Sequence, residues 1–362
     1  MYGENQFGFR PQYSTMHAHL SIHDFITKSL DCPENVGIAV ISYDMTRAFD
    51  SLKHEDLFFS LQSGNLPISF IEWCTSYLQN RSQQVRLSHT SLSSPVAVTS
   101  GVPQGSVVSP FLFAAHMKSL SPFHPSTKMI KYADDIVTLT PIDRNNNADN
   151  LTSLELRNVT SCCLTHGLTL NLQKTKCMII TKPRANVTQP QCLEKQLFLK
   201  ILGVVYQENL SWNTHVDNIC KRANQRIYIL KQIKRLLTNK NDLVKIYNAV
   251  ILSVLEYCGP LFIGMTVTNK KKLEKIRKRS HRIICGSECE CDSLAPLTSR
   301  RERQAIKLIT QMMKPEHILH HLVPSVLPHS SHLAMPYCRT TRRLKSFILY
   351  CVELYNQKRE LL

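Results

Sequence analysis

The sequence predicts an α+β fold, with a mixed first half that contains an antiparallel sheet and a mostly helical second half. Up to about residue 180, apolar segments of strand length alternate with helical segments. Two pairs of such segments are joined by short polar turns, which is typical of antiparallel hairpins. Beyond about residue 200, apolar residues recur at steps of three and four with lysines and arginines between them, which indicates amphipathic helices. A chain of 362 residues is long enough for two or three domains.

The strands of the first half are predicted from short apolar, β-branched runs. The run at 36–43 is almost continuously apolar, which favours a strand buried on both faces. The remaining predicted strands are a pair within 83–98, a hairpin at 129–139 and a strand at 177–180. Helices are predicted between them, at about 48–63, 68–78, 111–117 and 151–156. A polar, proline-containing stretch at 182–190 marks the first plausible domain boundary.

The second half is predicted as a series of helices. Apolar residues at helical spacing indicate helices over 223–237 and 243–258. The segment 270–282 contains eight lysines and arginines but keeps a narrow apolar stripe, so we expect a packed helix with a basic outer face. Two further basic helical stretches are predicted near 300–313 and 339–356.

Charge is divided unevenly along the chain. The sequence has 44 Lys and Arg against 27 Asp and Glu, a formal net charge of +17. Residues 1–180 have a net charge of −1, and residues 181–362 have a net charge of +18. A basic half of this kind predicts a polyanionic partner, either nucleic acid or an anionic membrane surface. The alternative is a lysine-rich surface that only keeps the protein in solution.

Composition excludes several classes of protein. With 43% hydrophobic and 20% charged residues, the chain is not predominantly disordered. No apolar run reaches the length of a membrane span, and the first fifteen residues lack a signal-peptide core, so we expect an intracellular protein, nuclear or cytoplasmic. The 13 cysteines are scattered, which indicates reduced thiols. A zinc site at His281, Cys285, Cys289 and Cys291 stays open, although its C-x-C step departs from the usual spacing.

Three carboxylates lie where predicted strands end or bend. Asp44 follows the buried strand, and Asp134 and Asp135 lie at the tip of the 129–139 hairpin. Carboxylates at such positions are suited to hold hard cations such as Mg²⁺, and two such ions support in-line phosphoryl transfer. The alternative for each residue alone is a solvated turn or a helix N-cap.

These carboxylates fall within segments that together resemble the reverse transcriptase of non-LTR, LINE-like retrotransposons of the jockey and CR1 type. The resemblance runs from about Gln6 to Gly286 and rests on six elements in order. Three are the polymerase motifs A, B and C, seen as Asp44 with Ala48-Phe49-Asp50, as Gly101-Val102-Pro103-Gln104-Gly105-Ser106, and as Tyr132-Ala133-Asp134-Asp135. The others are Gln6-Phe7-Gly8-Phe9-Arg10, a motif D at Gly167–Lys176, and a primer-grip and thumb segment at Phe198–His215.

The resemblance implies roles for the matching positions. Asp44, Asp134 and Asp135 would be catalytic ligands of two Mg²⁺ ions, with Mn²⁺ as the alternative metal. Lys174 would donate a proton to the leaving pyrophosphate, or else is a solvated surface lysine. The residues implied in nucleotide binding are Phe49, Gln104, Gly105 and Arg10. Phe49 would collide with a ribose 2′-OH, but it also fits the interpretation of a core aromatic.

The resemblance also implies a domain organisation. It predicts a right-hand polymerase palm with partial fingers over residues 1–206, a helical thumb over 207–290 and a basic helical C-terminal region over 291–362. The expected partners are an RNA template, a DNA primer and dNTPs, with no membrane and no clear protein partner. Because upstream fingers strands have no counterpart, we expect an N-terminally truncated chain. The main hypothesis is an RNA-directed DNA polymerase, and the alternative is an inactive remnant that only binds nucleic acid.

Overall fold

The computed structural model describes two compact units, each built from more than one stretch of the chain. The first unit comprises Met1–Ala18, Val36–Ile179 and Pro183–Gln196, and the second comprises His19–Asn35, Ile180–Lys182 and Leu197–Leu362. Within these ranges the described residues are 3, 5–64, 66–88, 91–144, 148–185, 187, 193–236, 239–286 and 295–359.

A four-stranded sheet forms the centre of the first unit. Its strands are β1 (Asn35–Tyr43), β4 (Lys128–Tyr132), β5 (Asp135–Asp143) and β6 (Lys176–Thr181), and their order is β4-β5-β1-β6. Two shorter strands, β2 (Ser82–Gln83) and β3 (Val96–Ala97), form a separate antiparallel pair. Residues 37–41 of β1 are all buried, as its apolar sequence predicts for a central strand. The predicted hairpin is confirmed, because β4 and β5 pair antiparallel with Tyr132 opposite Asp135.

Helices of the first unit pack their apolar faces into one core with the sheet. They are α2 (Ala48–Ser51), α3 (His54–Gln62), α4 (Ile68–Leu78), α5 (Ser109–His116), which continues into a short 3₁₀ turn, and α6 (Ala148–Thr165). Leu57, Leu61, Cys74 and Leu78 are fully buried on α3 and α4, at the spacing of amphipathic helices. The prediction of α4 is confirmed at both ends.

The single helix predicted at about 48–63 is wrong, because the structure has two helices separated at Leu52 and Lys53. Both residues have extended backbone, with ψ values of 116° and 133°. The extended residues pair with another segment, since Lys53 bridges Ser100 and the Gly101 amide donates to the Leu52 carbonyl at 2.7 Å. The helix is therefore interrupted where its backbone hydrogen bonds go to the loop that begins at Ser100.

The second unit is mostly helical, as predicted, but it also contains a hairpin and an additional helix. The helix α1 (Thr15–Asp31), which the sequence pattern did not reveal, lies mostly in this unit. The hairpin consists of β7 (Phe198–Ile201) and β8 (Val204–Gln207), and its two turn residues Leu202 and Gly203 both have positive φ. The later helices are α7 (Asn213–Leu236), α8 (Lys240–Ile246), α9 (Ser253–Glu256), α10 (Val267–Cys285), α11 (Leu297–Met312), α12 (Thr341–Leu344) and α13 (Phe347–Arg359).

Helices α7 and α10 pack side by side in the same direction. Asn213 accepts a hydrogen bond from Asn269 at 2.9 Å near the start of both helices. One turn further along, Lys272 pairs with Asp217 at 2.6 Å. Further on, Arg279 donates to Asn224. The apolar stripes of the two helices lie in the same interface, which leaves their remaining cations on the outer faces.

The division into two compact units tests neither the predicted domain boundaries nor the expectation that the chain does not span a membrane. The predicted thumb and C-terminal region, 207–290 and 291–362, fall within one compact unit together with 19–35. The boundaries at 206/207 and 290/291 stay predictions. Over the part of the chain that the structure describes, every helix is too short or too polar to cross a membrane.

Candidate active site

The three predicted carboxylates lie at one end of the sheet in the first unit. Asp44 follows the last residue of β1, and Asp134 and Asp135 belong to the two-residue turn and the start of β5. The hydroxyls of Tyr43 and Thr138 share a hydrogen bond of 3.0 Å, which fixes the end of β1 beside the first residues of β5. The structure therefore brings together residues that are about 90 positions apart in the sequence.

Negative charge accumulates at this end of the sheet. Desolvation by surrounding protein raises the pKa of Asp135, and the charges of Asp134 and Asp44 raise that pKa further. Among the described residues, Lys174 forms an ion pair with this site, with its Nζ 3.9 Å from Asp44 Oδ1. Because both side chains of this pair are largely exposed, at 68% and 43%, their attraction is weak. One lysine does not balance three carboxylates, so the site favours additional positive charge.

Lys174 is held beside Asp44 by a turn that contacts the Asp44 backbone directly. The Asn171 amide donates to the Asp44 carbonyl at 2.8 Å. Within the turn, the Lys174 amide donates to Asn171 Oδ1 at 3.2 Å, and Thr175 Oγ1 donates to the Asn171 carbonyl at 2.9 Å. The Asp44 amide in turn donates to Thr175 Oγ1 at 3.5 Å. Motif D and motif A are therefore connected through their backbones.

The donor set suits a hard divalent cation, although the carboxylates do not close around one point. All three side chains offer only oxygen, which is the ligand type that Mg²⁺ and Mn²⁺ prefer. A divalent ion would also reverse the mutual repulsion that raises the pKa of Asp135. Among the described residues, no three His, Cys, Asp or Glu side chains are grouped closely enough to hold a metal unaided. A bound metal would therefore need further oxygens from water or substrate.

Phe49 both packs in the core and supports the neighbouring loop. Its ring stacks on Phe113 with centroids 4.7 Å apart, and it is partly buried against the main core of the unit. Its carbonyl accepts from the Val102 amide at 2.9 Å. The interpretation of Phe49 as a core aromatic is thus consistent with the structure. Its packing also places its backbone directly under the loop that carries Gln104 and Gly105.

The motif B loop is bonded to the last residue of motif A, Asp50. Gln104 Nε2 donates to Asp50 Oδ1 at 2.8 Å. Gly101 has φ +84°, and a Cβ there would lie 2.9 Å from the Asp50 carbonyl oxygen, so the close approach requires glycine. Gly105 also has φ +84°, but its surroundings are open. A pocket of about 580 Å³ lies along this loop and is lined by Asp50, Arg81 and Gln104 among others.

Arg10 lies in the loop that precedes α1, and its guanidinium contacts other residues of the same loop. Its Nη1 donates to the carbonyls of Gly3 and Gln6 at 3.4 and 3.3 Å. The guanidinium also lies 4.0 Å above the centre of the Tyr13 ring, a cation–π contact. In this arrangement Arg10 shapes the loop, and its predicted role with phosphates stays a prediction.

Gln6 and Gly8 are contacts of the Asp134 turn that the sequence reasoning missed. Gln6 is 1% exposed, and its Oε1 accepts the amides of both Gly8 and Ala133, at 2.9 and 3.2 Å. Ala133 has φ 57°, a left-handed conformation that is strained for an L-residue. A Cβ on Gly8 would lie 2.5 Å from the Ala133 amide nitrogen. The only signal in the sequence was the Gln6–Arg10 segment itself, from which only Arg10 was assigned a role.

The four residues of the predicted zinc site lie only partly within the described part of the chain. His281 and Cys285 lie on α10, whereas Cys289 and Cys291 fall outside the described residues. The zinc hypothesis therefore stays open.

The sequence of the first part of the chain matches a known family of polymerases. Residues 1–206, more than half of the chain, match the family described as "Reverse transcriptase (RNA-dependent DNA polymerase)". The chain therefore belongs to the reverse transcriptase family.

Curated relatives narrow the class to mobile elements. The chain is 27% identical over 300 residues to the "Probable RNA-directed DNA polymerase from transposon BS" of Drosophila melanogaster, covering 78% of this chain and 32% of that protein. It is 24% identical to the "RNA-directed DNA polymerase from mobile element jockey" of Drosophila funebris, covering 94% of this chain and 39% of that protein. The predicted resemblance to LINE-like reverse transcriptases is confirmed. The chain spans about a third of the length of these relatives.

A solved structure of telomerase from Candida tropicalis, in complex with a fragment of telomeric RNA, is also similar. It is 13% identical in sequence, with a TM-score of 0.44, and the match covers 88% of this chain and 53% of that chain.

Proposed function

We propose that this chain carries the active site of an RNA-directed DNA polymerase, which adds dNTPs to a primer 3′-OH on an RNA template. The observation that carries the proposal is the meeting of Asp44, Asp134 and Asp135 at one end of the sheet, with the pKa of Asp135 raised. These three residues would hold two Mg²⁺ ions, or Mn²⁺. When bound, the metals would activate the attacking hydroxyl and stabilise the leaving oxygen.

The other residues of the site would position the nucleotide and complete the proton transfer. In the reaction, the primer 3′-oxygen bonds to the α-phosphorus of the dNTP, and the bond to the leaving pyrophosphate breaks. Lys174, beside Asp44, would protonate the pyrophosphate oxygen. Gln104, held by Asp50, and Gly105 would form the floor for the nucleotide, with Phe49 supporting them from below.

A stripe of cations on α10 supports binding of the template and primer. Lys271, Lys275, Lys278 and Arg282 are exposed and follow one another at steps of four, three and four, which places them on one face of the helix. Within the described part of the chain they make no ion pair. The stripe is about 17 Å long and borders a groove of about 660 Å³. Such a row would neutralise phosphates without reading sequence.

Primer extension on an RNA template with Mg²⁺ tests the proposal. Asp134→Asn should abolish incorporation, because it removes a charged metal ligand while keeping the shape of the side chain. Asp143→Asn, the same change at the opposite end of β5, is the matched control and should leave incorporation within about twofold.

Two outcomes would contradict the proposal. Incorporation that survives Asp134→Asn would overturn the assignment of the metal ligands. A wild-type chain that binds primer–template but incorporates nothing would instead support an inactive remnant.

A further inference from the structure

A small pocket in the second unit lies between the turn of the β7–β8 hairpin and the helices α7 and α9. Its volume is about 290 Å³, several times the space of one water molecule. The polar residues that line it are His215, Arg222, Arg226, Ser253 and Tyr257. No carboxylate is among the described residues that line the pocket, although basic and polar side chains surround it.

His215 lines this pocket and carries a buried hydrogen-bond donor. Its side chain is 4% exposed, and its Nδ1 accepts the Val205 backbone amide at 3.3 Å. Because a backbone amide can only donate, Nδ1 carries no proton and the proton of the neutral ring is on Nε2. Nε2 is buried and has no hydrogen-bond partner among the described residues. A buried N–H group without an acceptor is rare and often marks a site for an absent group.

Three other polar groups of the pocket already donate hydrogen bonds to backbone carbonyls. Arg226 donates to the Val250 carbonyl at 2.5 Å, and Tyr257 donates to the Leu202 carbonyl at 2.7 Å. The Ser253 hydroxyl donates to the Ala249 carbonyl at 2.6 Å. The guanidinium of Arg222 makes no hydrogen bond or ion pair with any described residue. The hydroxyl oxygens of Ser253 and Tyr257 can therefore still accept, and the donors that remain are the His215 Nε2–H and the two positively charged guanidinium groups.

We propose that this pocket binds one phosphate group, with Arg222 and Arg226 supplying the charge and His215 Nε2–H supplying a neutral hydrogen bond. A water molecule could accept from Nε2, but it carries no charge that complements the two guanidinium groups. A phosphate offers several acceptor oxygens, and its charge complements the two arginines. The pocket goes beyond the proposed polymerase function and stands independently of it, because phosphate can bind here without any nucleotide being incorporated.

Isothermal titration of the full chain with inorganic phosphate, in a buffer free of other oxyanions, tests the proposal. Arg222→Gln should weaken binding at least tenfold, because it removes the unpaired guanidinium. Lys221→Gln is the matched control, since it removes the same charge from the neighbouring exposed position of α7 and should change binding less than twofold. Absence of phosphate binding by the wild-type chain, or equal losses in the two variants, would overturn the proposal.

The histidine ring gives a second readout that does not depend on any substitution. Long-range proton–nitrogen spectra at pH 7 should show His215 as the Nε2–H tautomer, and phosphate should shift its Nε2 signal. An Nδ1–H tautomer, or a signal that phosphate does not move, would contradict the assignment.

Two sources of phosphate are distinguished by competition. If a short RNA–DNA duplex displaces inorganic phosphate, the group is a phosphodiester of a bound strand. If the duplex does not compete, the site takes free phosphate. Both results support a phosphate site. A failure of primer extension would contradict only the proposal for the carboxylate site.

Discussion

The contact between Gln6 and the Asp134 turn leads to a quantitative prediction. Gln6→Met keeps the length of the buried side chain but removes the acceptor shared by the Gly8 and Ala133 amides. Each amide left unpaired should cost about 1–3 kcal/mol. The substitution also removes the unpartnered Nε2 of Gln6, which returns about 1 kcal/mol. We therefore expect the free energy of unfolding to fall by about 1–5 kcal/mol.

The same substitution should reduce polymerisation, because the Ala133 amide belongs to the strained turn that carries Asp134. Urea unfolding measures the stability, and primer extension at a temperature where the variant is folded measures kcat, which should fall at least tenfold. Gln62→Met, at an exposed position of α3, is the matched control and should change neither quantity appreciably. The reasoning is refuted if Gln6→Met unfolds within 0.5 kcal/mol of the wild type.

Further predictions concern pH and two ion pairs. Burial lowers the pKa of three histidines of the second unit to about 4, namely His19, His23 and His215. As the pH falls, these histidines take up protons near pH 6.5 in the unfolded chain but only near pH 4 in the folded chain. The free energy of unfolding should therefore be constant above about pH 6.5 and fall by up to about 3 kcal/mol per histidine towards pH 4. Unfolding followed by circular dichroism measures this change. Asp24→Asn should cost about 3–5 kcal/mol in urea unfolding, since it leaves the buried Arg343 guanidinium, 2.6 Å from Asp24 Oδ1, without a counter-charge. Lys174→Met should leave stability within 1 kcal/mol but lower kcat at least tenfold in primer extension.

Elements whose pattern is local could be predicted from the sequence. The β1 strand and the helix α4 follow from continuous apolar or helical spacing within a few residues. The β4–β5 hairpin follows from two apolar runs around a polar bend. In each case the residues that decide the structure are neighbours in sequence, so the pattern alone contains the information.

Features that depend on distant partners could not be predicted. The break at Leu52 and Lys53 exists because Ser100 and Gly101 take their hydrogen bonds, and nothing near residue 52 indicates that. Helix α1 escaped notice because its apolar residues are interspersed with histidines, of which His19 and His23 are buried. Burial of those histidines depends on residues almost 200 positions away, such as Tyr206, which bonds His19 at 3.0 Å.

Two buried polar groups without a hydrogen-bond partner lie in the two regions that carry the proposals, the hairpin turn at Asp134 and the pocket lined by His215. Gln6 Nε2 and His215 Nε2 are both buried donors without a described partner, and both lie in segments that the resemblance singled out. The other polar atom of each side chain, Gln6 Oε1 or His215 Nδ1, accepts from a backbone amide. Neither side chain can therefore rotate to find a partner for its Nε2 without losing that hydrogen bond. Gln6 Oε1 thereby holds the hairpin turn at Asp134, and His215 Nδ1 holds the Val205 amide of β8. Each side chain keeps one buried donor unpaired, and in His215 this is the donor to which the proposed phosphate would bond.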